Sequence, residues 1–199
     1  MTLPADSSSD ALAGLADIAA GDAGFDRDMF LDQARAAFAA VKQAVAARDL
    51  TAVAGELGPG ITSTLQAQVE RLTAQHAIHR IDDLNIDGMA IARAQHTAEF
   101  DHVVVRFDAR AAQYGVDELK HELVFGNQAV QPFIEYWTFT RAAGVRSATP
   151  DAPAACPNCG APIAAGSGRT CRYCRAALPA RQTVDWMVTE IQDPIDYPH

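Results

Sequence analysis

The four cysteines of the chain lie in one short stretch, CPNCGAPIAAGSGRTCRYC. They form two CxxC pairs, Cys156 with Cys159 and Cys171 with Cys174, and eleven residues separate the pairs. A two-residue gap lets two thiolates bind one ion from a tight turn, and the intervening segment can fold back as a hairpin. Because four sulfur ligands close a tetrahedral site, the pattern predicts a structural Zn²⁺ ion. Iron is an alternative metal, and disulfides or redox pairs are the remaining interpretation.

The segment around the cysteines is basic. Residues 152–184 contain no acidic side chain, and they contain four arginines: Arg169, Arg172, Arg175 and Arg181. A zinc ion with four thiolates carries a charge of about −2, so the segment keeps a modest positive excess. These arginines are candidates for contact with anionic lipid or an acidic protein surface. The interpretation that we favour is that they keep a small exposed hairpin soluble.

Side chains suited to acid–base catalysis are present but scattered along the chain. Such catalysis needs an acid and a base that converge in one cavity. The candidates are Asp101, His102, Asp108, Tyr114, His121 and Glu135. They form no recognisable constellation in the sequence, so we predict a non-enzymatic protein. His76 and His79 have the spacing of two ligands on one helix face, but we interpret them as an ordinary helix end.

The composition of the whole chain narrows the classes of function. The chain has 199 residues, of which 49% are apolar, and its formal net charge is −9. A sizeable core can therefore be buried, while the negative charge argues against nucleic-acid binding. The sequence shows no run of eighteen apolar residues and no basic leader before an apolar stretch, which predicts neither a membrane span nor secretion. We therefore expect a reducing, cytoplasmic location.

Helices are predicted in the first part of the chain. Residues 1–24 are rich in Ala, Ser, Asp and Gly, and we expect a flexible tail with one weak helical turn. The next segment has an apolar stripe at spacings of three and four, which predicts a helix: Phe30, Ala34, Phe38, Val41 and Val45. A short helix over residues 51–57, ended by Gly-Pro-Gly, and a third helix over residues 61–76 are expected to follow.

Strand-like patterns come after the helices. Alternation over residues 100–112 predicts a strand whose one face carries Val103, Val105, Phe107 and Ala109. The run QPFIEYWTFTR predicts an aromatic strand whose one face carries Phe133, Glu135, Trp137, Phe139 and Arg141. Further strands are expected over residues 84–91, 122–125 and 184–191, with a loop at Gly115 and a turn at Gly126-Asn127. Helices followed by antiparallel strands indicate an α+β fold.

The cysteine segment interrupts the last two predicted strands. Without it, the aromatic strand and the strand over residues 184–191 would be sequential neighbours and would form a hairpin. We therefore predict that these two strands pair antiparallel. On this interpretation residues 25–147 and 182–193 form one α+β domain, and residues 148–181 are an inserted zinc ribbon.

Aromatic side chains are concentrated in the predicted strands. We propose as candidates for the wall of an apolar pocket Phe107, Phe125, Trp137, Phe139 and Trp186. A concave sheet with only three helices against it rarely fills completely. Core packing between sheet and helices is the ordinary use of such residues and is the alternative for most of them.

Several segments together resemble a known family: GFDRDMFLDQARAAFAAVKQAVAARDL, then FIEYWTFTRAAG, CPNCGAPI, CRYC and DWMVTEI. In this order they resemble the bacterial relatives of the mitochondrial import-motor anchor, the TIM forty-four-like domain, in the version with an inserted zinc ribbon. The resemblance covers residues 25–192, and its cysteines are its only specific motif.

The resemblance implies a cone fold similar to the nuclear transport factor two-like superfamily, in which a curved antiparallel sheet and helices surround an apolar cavity. It implies a binding or scaffold role at a membrane or a protein translocation complex, with a protein partner and an apolar ligand or anionic lipid as contacts. An isomerase or dehydratase of the same superfamily is the alternative. The chain shows neither the transmembrane helices nor the long charged segment of other members, so we expect peripheral membrane association.

Overall fold

The computed structural model describes residues 5–145, 147, 154–156, 158–163, 173–176 and 186–193. Within these residues the helices come first: α1 (Ala5–Gly21), α2 (Arg27–Ala47) and α3 (Pro59–Ala74), with a 3-10 turn at Thr51–Val53. The strands follow: β1 (Ala77–His96), β2 (Phe100–Asp117), β3 (Leu123–Ala142), β4 (Ala154–Ala155), β5 (Pro162–Ile163) and β6 (Met187–Gln192). The predicted α+β class is confirmed.

Four strands form one curved antiparallel sheet in the order β1-β2-β3-β6, and β4 pairs with β5 in a separate two-stranded ladder. In the large sheet Val105 pairs with Trp137, and Phe139 pairs with Val188. The predicted antiparallel pairing of the aromatic strand with the last strand is therefore confirmed. The cysteine cluster lies before that last strand in the chain, as expected.

Helix α2 forms where the apolar stripe predicts it. The side chain of Asp26 caps its start by accepting a hydrogen bond of 2.8 Å from the backbone N–H of Met29. Arg48 ends the helix in the left-handed conformation, with φ 58°. The helix buries the five predicted stripe residues together with Ala44. Helix α3 starts at Pro59, whose missing N–H costs nothing in a first turn.

The aromatic residues of α2 hold this helix against the sheet. Phe38 stacks on Phe107 with ring centroids 4.4 Å apart, and Phe30 contacts Trp186 at 5.0 Å. The predicted inward face of β2 is also confirmed, because Val103, Val105, Phe107 and Ala109 are all buried. Aromatic pairs of this kind add stability beyond the area that they bury, so this layer determines how α2 is placed over the sheet.

The first helix corrects a prediction. Residues 1–24 were expected to form a flexible tail, but residues 5–21 form helix α1, which buries Ala11, Leu15 and Ile18. Gly14 lies so close to β1 that a Cβ atom at this position would be 2.0 Å from the carbonyl oxygen of Ala94. The small side chains that make the segment look like a tail are the ones that permit this close approach.

The strands are longer than their patterns predict. The loop expected at Gly115 and the turn expected at Gly126 are wrong, since both glycines lie inside strands. The ring of Phe125 lies across Gly115, where a Cβ atom would be 2.1 Å from the ring. Gly126 has φ +80°. It directly precedes Asn127, and the pairing of β3 with β2 is irregular between Asn127 and Gln131. Glycine at each position thus accommodates a local irregularity rather than ending the strand.

Two smaller predictions also need correction. The short helix expected over residues 51–57 is a single 3-10 turn at Thr51–Val53. The two histidines that were interpreted as a helix end do not share a helix: His76 follows α3 with φ 50°, and His79 lies in β1. Helix α3 ends at Ala74 and β1 begins at Ala77, so the two histidines lie on opposite sides of the start of the strand.

Candidate metal centre and cavity

Three of the four predicted metal ligands lie together. The sulfur atoms of Cys156, Cys159 and Cys174 are all within 4.8 Å of one another, and those of Cys156 and Cys174 are 3.6 Å apart. Two sulfurs on a tetrahedral zinc with Zn–S bonds of about 2.3 Å would be about 3.8 Å apart, whereas a disulfide joins them at about 2.05 Å. The described sulfurs therefore fit a metal site better than a disulfide. Cys171 lies outside the described residues.

The backbone around the first cysteine pair forms a tight knuckle. The N–H of Gly160 donates to the carbonyl oxygen of Cys156 at 2.8 Å. The N–H of Cys156 donates to the carbonyl oxygen of Ala161, also at 2.8 Å. Gly160 has φ +69°, a conformation that glycine adopts without steric cost. Strands β4 and β5 flank this knuckle and pair with each other. The local fold therefore brings Cys156 and Cys159 together independently of the second pair.

The electrostatics of the cluster favour thiolate. A hydrogen bond from the side chain of Asn158 lowers the pKa of Cys174 to about 6, and the backbone N–H of Ala176 adds to this effect. A thiol with this pKa is mostly ionised at neutral pH, and thiolate is the form that binds metal. The donor set, the spacing and the charge all fit a soft divalent ion such as zinc.

The second feature is a cavity of about 440 Å³ between α2, α3 and the sheet. Its size lies in the range of small-molecule sites. Its walls consist of Val41, Lys42, Val45, Ile61, Thr64, Leu65, Gln68, His79, Ile81, Gln113, Phe133, Glu135, Trp137, Ile191 and Asp193. Seven of these fifteen residues are polar, so the apolar cavity that the resemblance implied has a partly polar wall.

A buried ion pair dominates the polar part of the cavity wall. The ammonium group of Lys42 lies 2.5 Å from one oxygen of Glu135, and both side chains are largely buried. The indole N–H of Trp137 donates to the other oxygen of Glu135 at 2.9 Å. Lys42 also lies over the rings of Phe38 and Phe133, at 5.5 and 5.3 Å from their centroids. Both charges are therefore compensated inside the protein, as burial requires.

Among the other described lining residues, Asp193 is the one that carries a charge. Burial, with the nearby positive charge of Lys42, lowers the pKa of His79, so its imidazole is neutral at pH 7. Thr64 and Gln68 come from α3, and Gln113 comes from β2. Asp193 follows the last strand and is exposed. These groups offer hydrogen bonds rather than a second cation.

The five aromatic pocket candidates have different positions. Trp137 belongs to the hydrophobic core and also lines the cavity, whereas Phe107, Phe139 and Trp186 belong to the core alone. Phe125 is 39% exposed and lies across Gly115 near the start of β3. The cavity also takes Phe133, which shares the inward face of β3 with Trp137. Core packing alone is thus the observed role of three candidates.

The six acid–base candidates do not converge. Among them only Glu135 lines the cavity, and it is already paired with Lys42. His102 contacts Thr140, and Asp108 pairs with Arg106. The remaining three lie apart: Asp101 is buried in a separate ion-pair cluster, Tyr114 donates to Asp82, and His121 is in the turn before β3. Among the residues that the structure describes, no two of these six candidates pair with each other.

The separate cluster is centred on Arg141, whose side chain is fully buried. Its Nε donates to Asp101 at 2.9 Å, and its Nη1 donates to Asp22 at 2.7 Å and to Ser147 at 3.0 Å. The ring of His96 contacts the other oxygen of Asp101. The cluster joins the end of α1, the strands β2 and β3, and the residue near the start of the cysteine segment.

Aromatic contacts complete this arrangement. The guanidinium of Arg141 lies 4.7 Å from the ring of Trp186 and 5.8 Å from that of Phe25. Ser147 and Trp186 stand before and after the cysteine segment, so Arg141 contacts both of its ends. Burial alone would raise the pKa of Asp22, but hydrogen bonds from Ser147 and Arg141 lower it to about 2.

Sequence reasoning missed the partners of both buried clusters. Glu135 and Arg141 were placed on the inward face of β3, and a charge on such a face requires a partner. Lys42 follows Phe38 by four residues, so it belongs to the buried side of α2. Asp22 gives no such signal, because it lies in the segment that was expected to be a tail.

Of the four arginines proposed for anionic contact, the described residues include only Arg175. It is exposed, and it follows Cys174 with φ 58°. Arg169, Arg172 and Arg181 lie outside the described residues. Contact between these arginines and an anionic surface therefore stays a prediction.

The main part of the chain matches one protein-family model. The Tim44-like (TIM forty-four-like) domain matches residues 11–151. The chain belongs to this Tim44-like family, whose members are generally non-catalytic. None of the curated proteins compared with the chain matches it. Among the described residues, no helix has the length and apolar character that crossing a membrane requires.

Proposed function

We propose that this protein is a non-enzymatic binding or scaffold module of the Tim44-like family. The observation that carries the proposal is the cavity wall, in which the buried charges of Lys42 and Glu135 neutralise each other. Among the described lining residues the one buried carboxylate is Glu135, and Lys42 and Trp137 bond its two oxygens. A general base instead needs an oxygen within hydrogen-bond reach of its substrate. The cavity is built to hold a molecule rather than to transform it.

The proposal assigns a structural role to the cysteine cluster. Cys156, Cys159 and Cys174, together with Cys171, would hold one Zn²⁺ ion, and four sulfur ligands leave no open position for catalysis. The ion would fold the short ribbon that follows Ser147. The ribbon would then present its arginines to a protein partner or to anionic lipid. We propose a location in the cytoplasm, at the periphery of a membrane or complex.

Native mass spectrometry of the gently purified full chain tests this function. We expect one zinc per chain and a specific protein partner at stoichiometric amount. Cys156→Ser should release the zinc, while the large sheet keeps its circular dichroism. Less than half an equivalent of zinc or iron would contradict the metal assignment. Turnover of a small molecule by the purified chain would contradict the non-enzymatic assignment.

A further inference from the structure

We propose that the cavity binds an uncharged amphiphile, with an apolar body in the pocket and one carbonyl or hydroxyl oxygen that accepts a hydrogen bond from Lys42. This inference rests on the proposed binding function and names the ligand class for it. Carboxylate, phosphate and ammonium head groups are disfavoured by the same wall.

The apolar part of the wall accounts for the body of the ligand. One side of the cavity is formed by Val41 and Val45 of α2 with Ile61 and Leu65 of α3, and the sheet supplies aromatic and aliphatic side chains opposite them. The volume of about 440 Å³ admits a molecule of small drug-like size. Burial of apolar surface against these residues provides the main favourable free energy.

The charges of the wall exclude an ionic head group. Lys42 is the only cation among the described lining residues, and Glu135 already neutralises it. An anionic head would have to compete with Glu135 for Lys42, and Asp193 adds further negative charge at the rim. A cationic head could bond Glu135 only beside the ammonium group of Lys42, which would repel it. Because an uncompensated buried ion is costly, either head would bind poorly.

Lys42 can nevertheless donate to a neutral oxygen. An ammonium group has three N–H donors, and the described residues supply Lys42 with one acceptor, Glu135. The rings of Phe38 and Phe133 flank the ammonium group and offer no oxygen. A carbonyl or hydroxyl oxygen satisfies a remaining donor without adding charge.

The test measures displacement of the uncharged fluorescent probe N-phenyl-1-naphthylamine from the full-length, zinc-loaded protein. The competitors share a ten-carbon chain and differ in the head group: 1-decanol, decanoate and decylamine. We expect decanol to bind at least tenfold more tightly than either ion at pH 7. A preference for decanoate or decylamine, or equal affinities, would overturn the inference.

Two variants locate the binding site. Thr64→Trp places a large ring at the exposed rim of the cavity and should reduce probe affinity at least tenfold. Ser63→Trp makes the same substitution on the neighbouring exposed residue of α3, which does not line the cavity, and should leave the affinity unchanged. Equal effects of the two variants would overturn the assignment of the cavity.

A third variant tests the role of the ion pair. Lys42→Met combined with Glu135→Gln removes both charges together, so neither is left unpaired. We expect it to keep probe binding and to bind decanol less tightly than the wild-type protein does, because Lys42 no longer donates to the hydroxyl oxygen. Unchanged affinity for decanol would overturn the role of Lys42. Absence of probe binding with zinc and protein partner intact would overturn this inference alone, whereas turnover of a bound amphiphile would overturn only the non-enzymatic function.

Discussion

At the scale of single residues, two charged side chains on one buried strand face define this molecule. Glu135 and Arg141 both point inward from β3, and both are compensated by partners from distant parts of the chain. Removing one partner of such a pair leaves an unpaired buried charge and is strongly destabilising. The two clusters therefore fix where α2 and the end of α1 lie on the sheet, because any other position would leave a buried charge without a partner.

The first prediction concerns the carboxylate of Asp22 in the Arg141 cluster. Its pKa is about 2 in the folded protein and about 3.8 in the unfolded chain, so its stabilising contribution is complete above pH 4 and is lost as pH falls through 2. We expect Asp22→Asn to lower the free energy of unfolding at pH 6, and the difference from wild type to shrink by about 2 kcal/mol at pH 2.

Denaturant unfolding of both proteins between pH 2 and pH 7 measures this difference. Asp17→Asn, on the exposed face of α1, is the matched control and should change the free energy of unfolding little at any pH. A difference between wild type and Asp22→Asn that stays constant across the pH range would contradict the role of Asp22.

At the scale of elements, the close packing of α1 on β1 distinguishes this fold from its sequence pattern. Gly14 has no room for a side chain beside the carbonyl oxygen of Ala94, whereas Gly60 in α3 has open space around it. The two glycines therefore offer a direct comparison of packing against helix propensity.

The second prediction is that the same substitution has opposite effects at these two sites. Gly60→Ala should stabilise the protein by about 0.5–1 kcal/mol, because alanine favours a helix over glycine. Gly14→Ala should destabilise it by about 1–3 kcal/mol, since the new methyl group forces α1 away from β1. Thermal and denaturant unfolding check both values. Stabilisation by Gly14→Ala would show that α1 is not packed on β1 in solution.

The third prediction concerns the cysteine segment as an insertion. Residues 148–181 replaced by a short Gly-Ser linker should leave a soluble protein that unfolds cooperatively, because β3 and β6 pair directly through Phe139 and Val188. Val188→Asp, which puts a charge at a fully buried site of β6, is the opposite control and should prevent folding. Near-ultraviolet circular dichroism distinguishes the two results. An unfolded linker variant would refute the insertion.

At the scale of the whole molecule, charge is divided unevenly. The chain carries a net charge of −9, while residues 152–184 have four arginines and no acidic residue. Basic residues near an anionic bilayer contribute about 1 kcal/mol each, and the attraction weakens with salt. The acidic remainder of the chain opposes it, so any membrane association should be weak and reversible.

The fourth prediction is that the protein floats with anionic liposomes at low salt and is released at physiological salt. Replacement of Arg169, Arg172, Arg175 and Arg181 by Ala should abolish flotation. The matched control replaces four exposed arginines of the main domain, Arg27, Arg35, Arg71 and Arg80, for the same change in charge. Equal losses in both variants would make the attraction non-specific, and no flotation at low salt would remove the membrane proposal.

Local patterns determined much of this protein. The stripe of α2 and the alternation of β2 and β3 follow from which side chains avoid water, so the helix, the strand faces and the α+β class could be predicted. The CxxC spacing predicted that Cys156 and Cys159 lie together, because the turn that joins them is itself local.

Tertiary structure alone decided the rest, because the deciding contacts join residues far apart in the chain. The position of α1 depends on the close contact between Gly14 and the carbonyl group of Ala94. Strands β2 and β3 continue through Gly115 and Gly126 because each strand pairs with the other at these positions. The charged part of the cavity wall depends on the contact between Lys42 and Glu135, which are 93 residues apart in the chain. A charged residue in the sequence shows that a partner is needed, and only the folded chain determines which one it has.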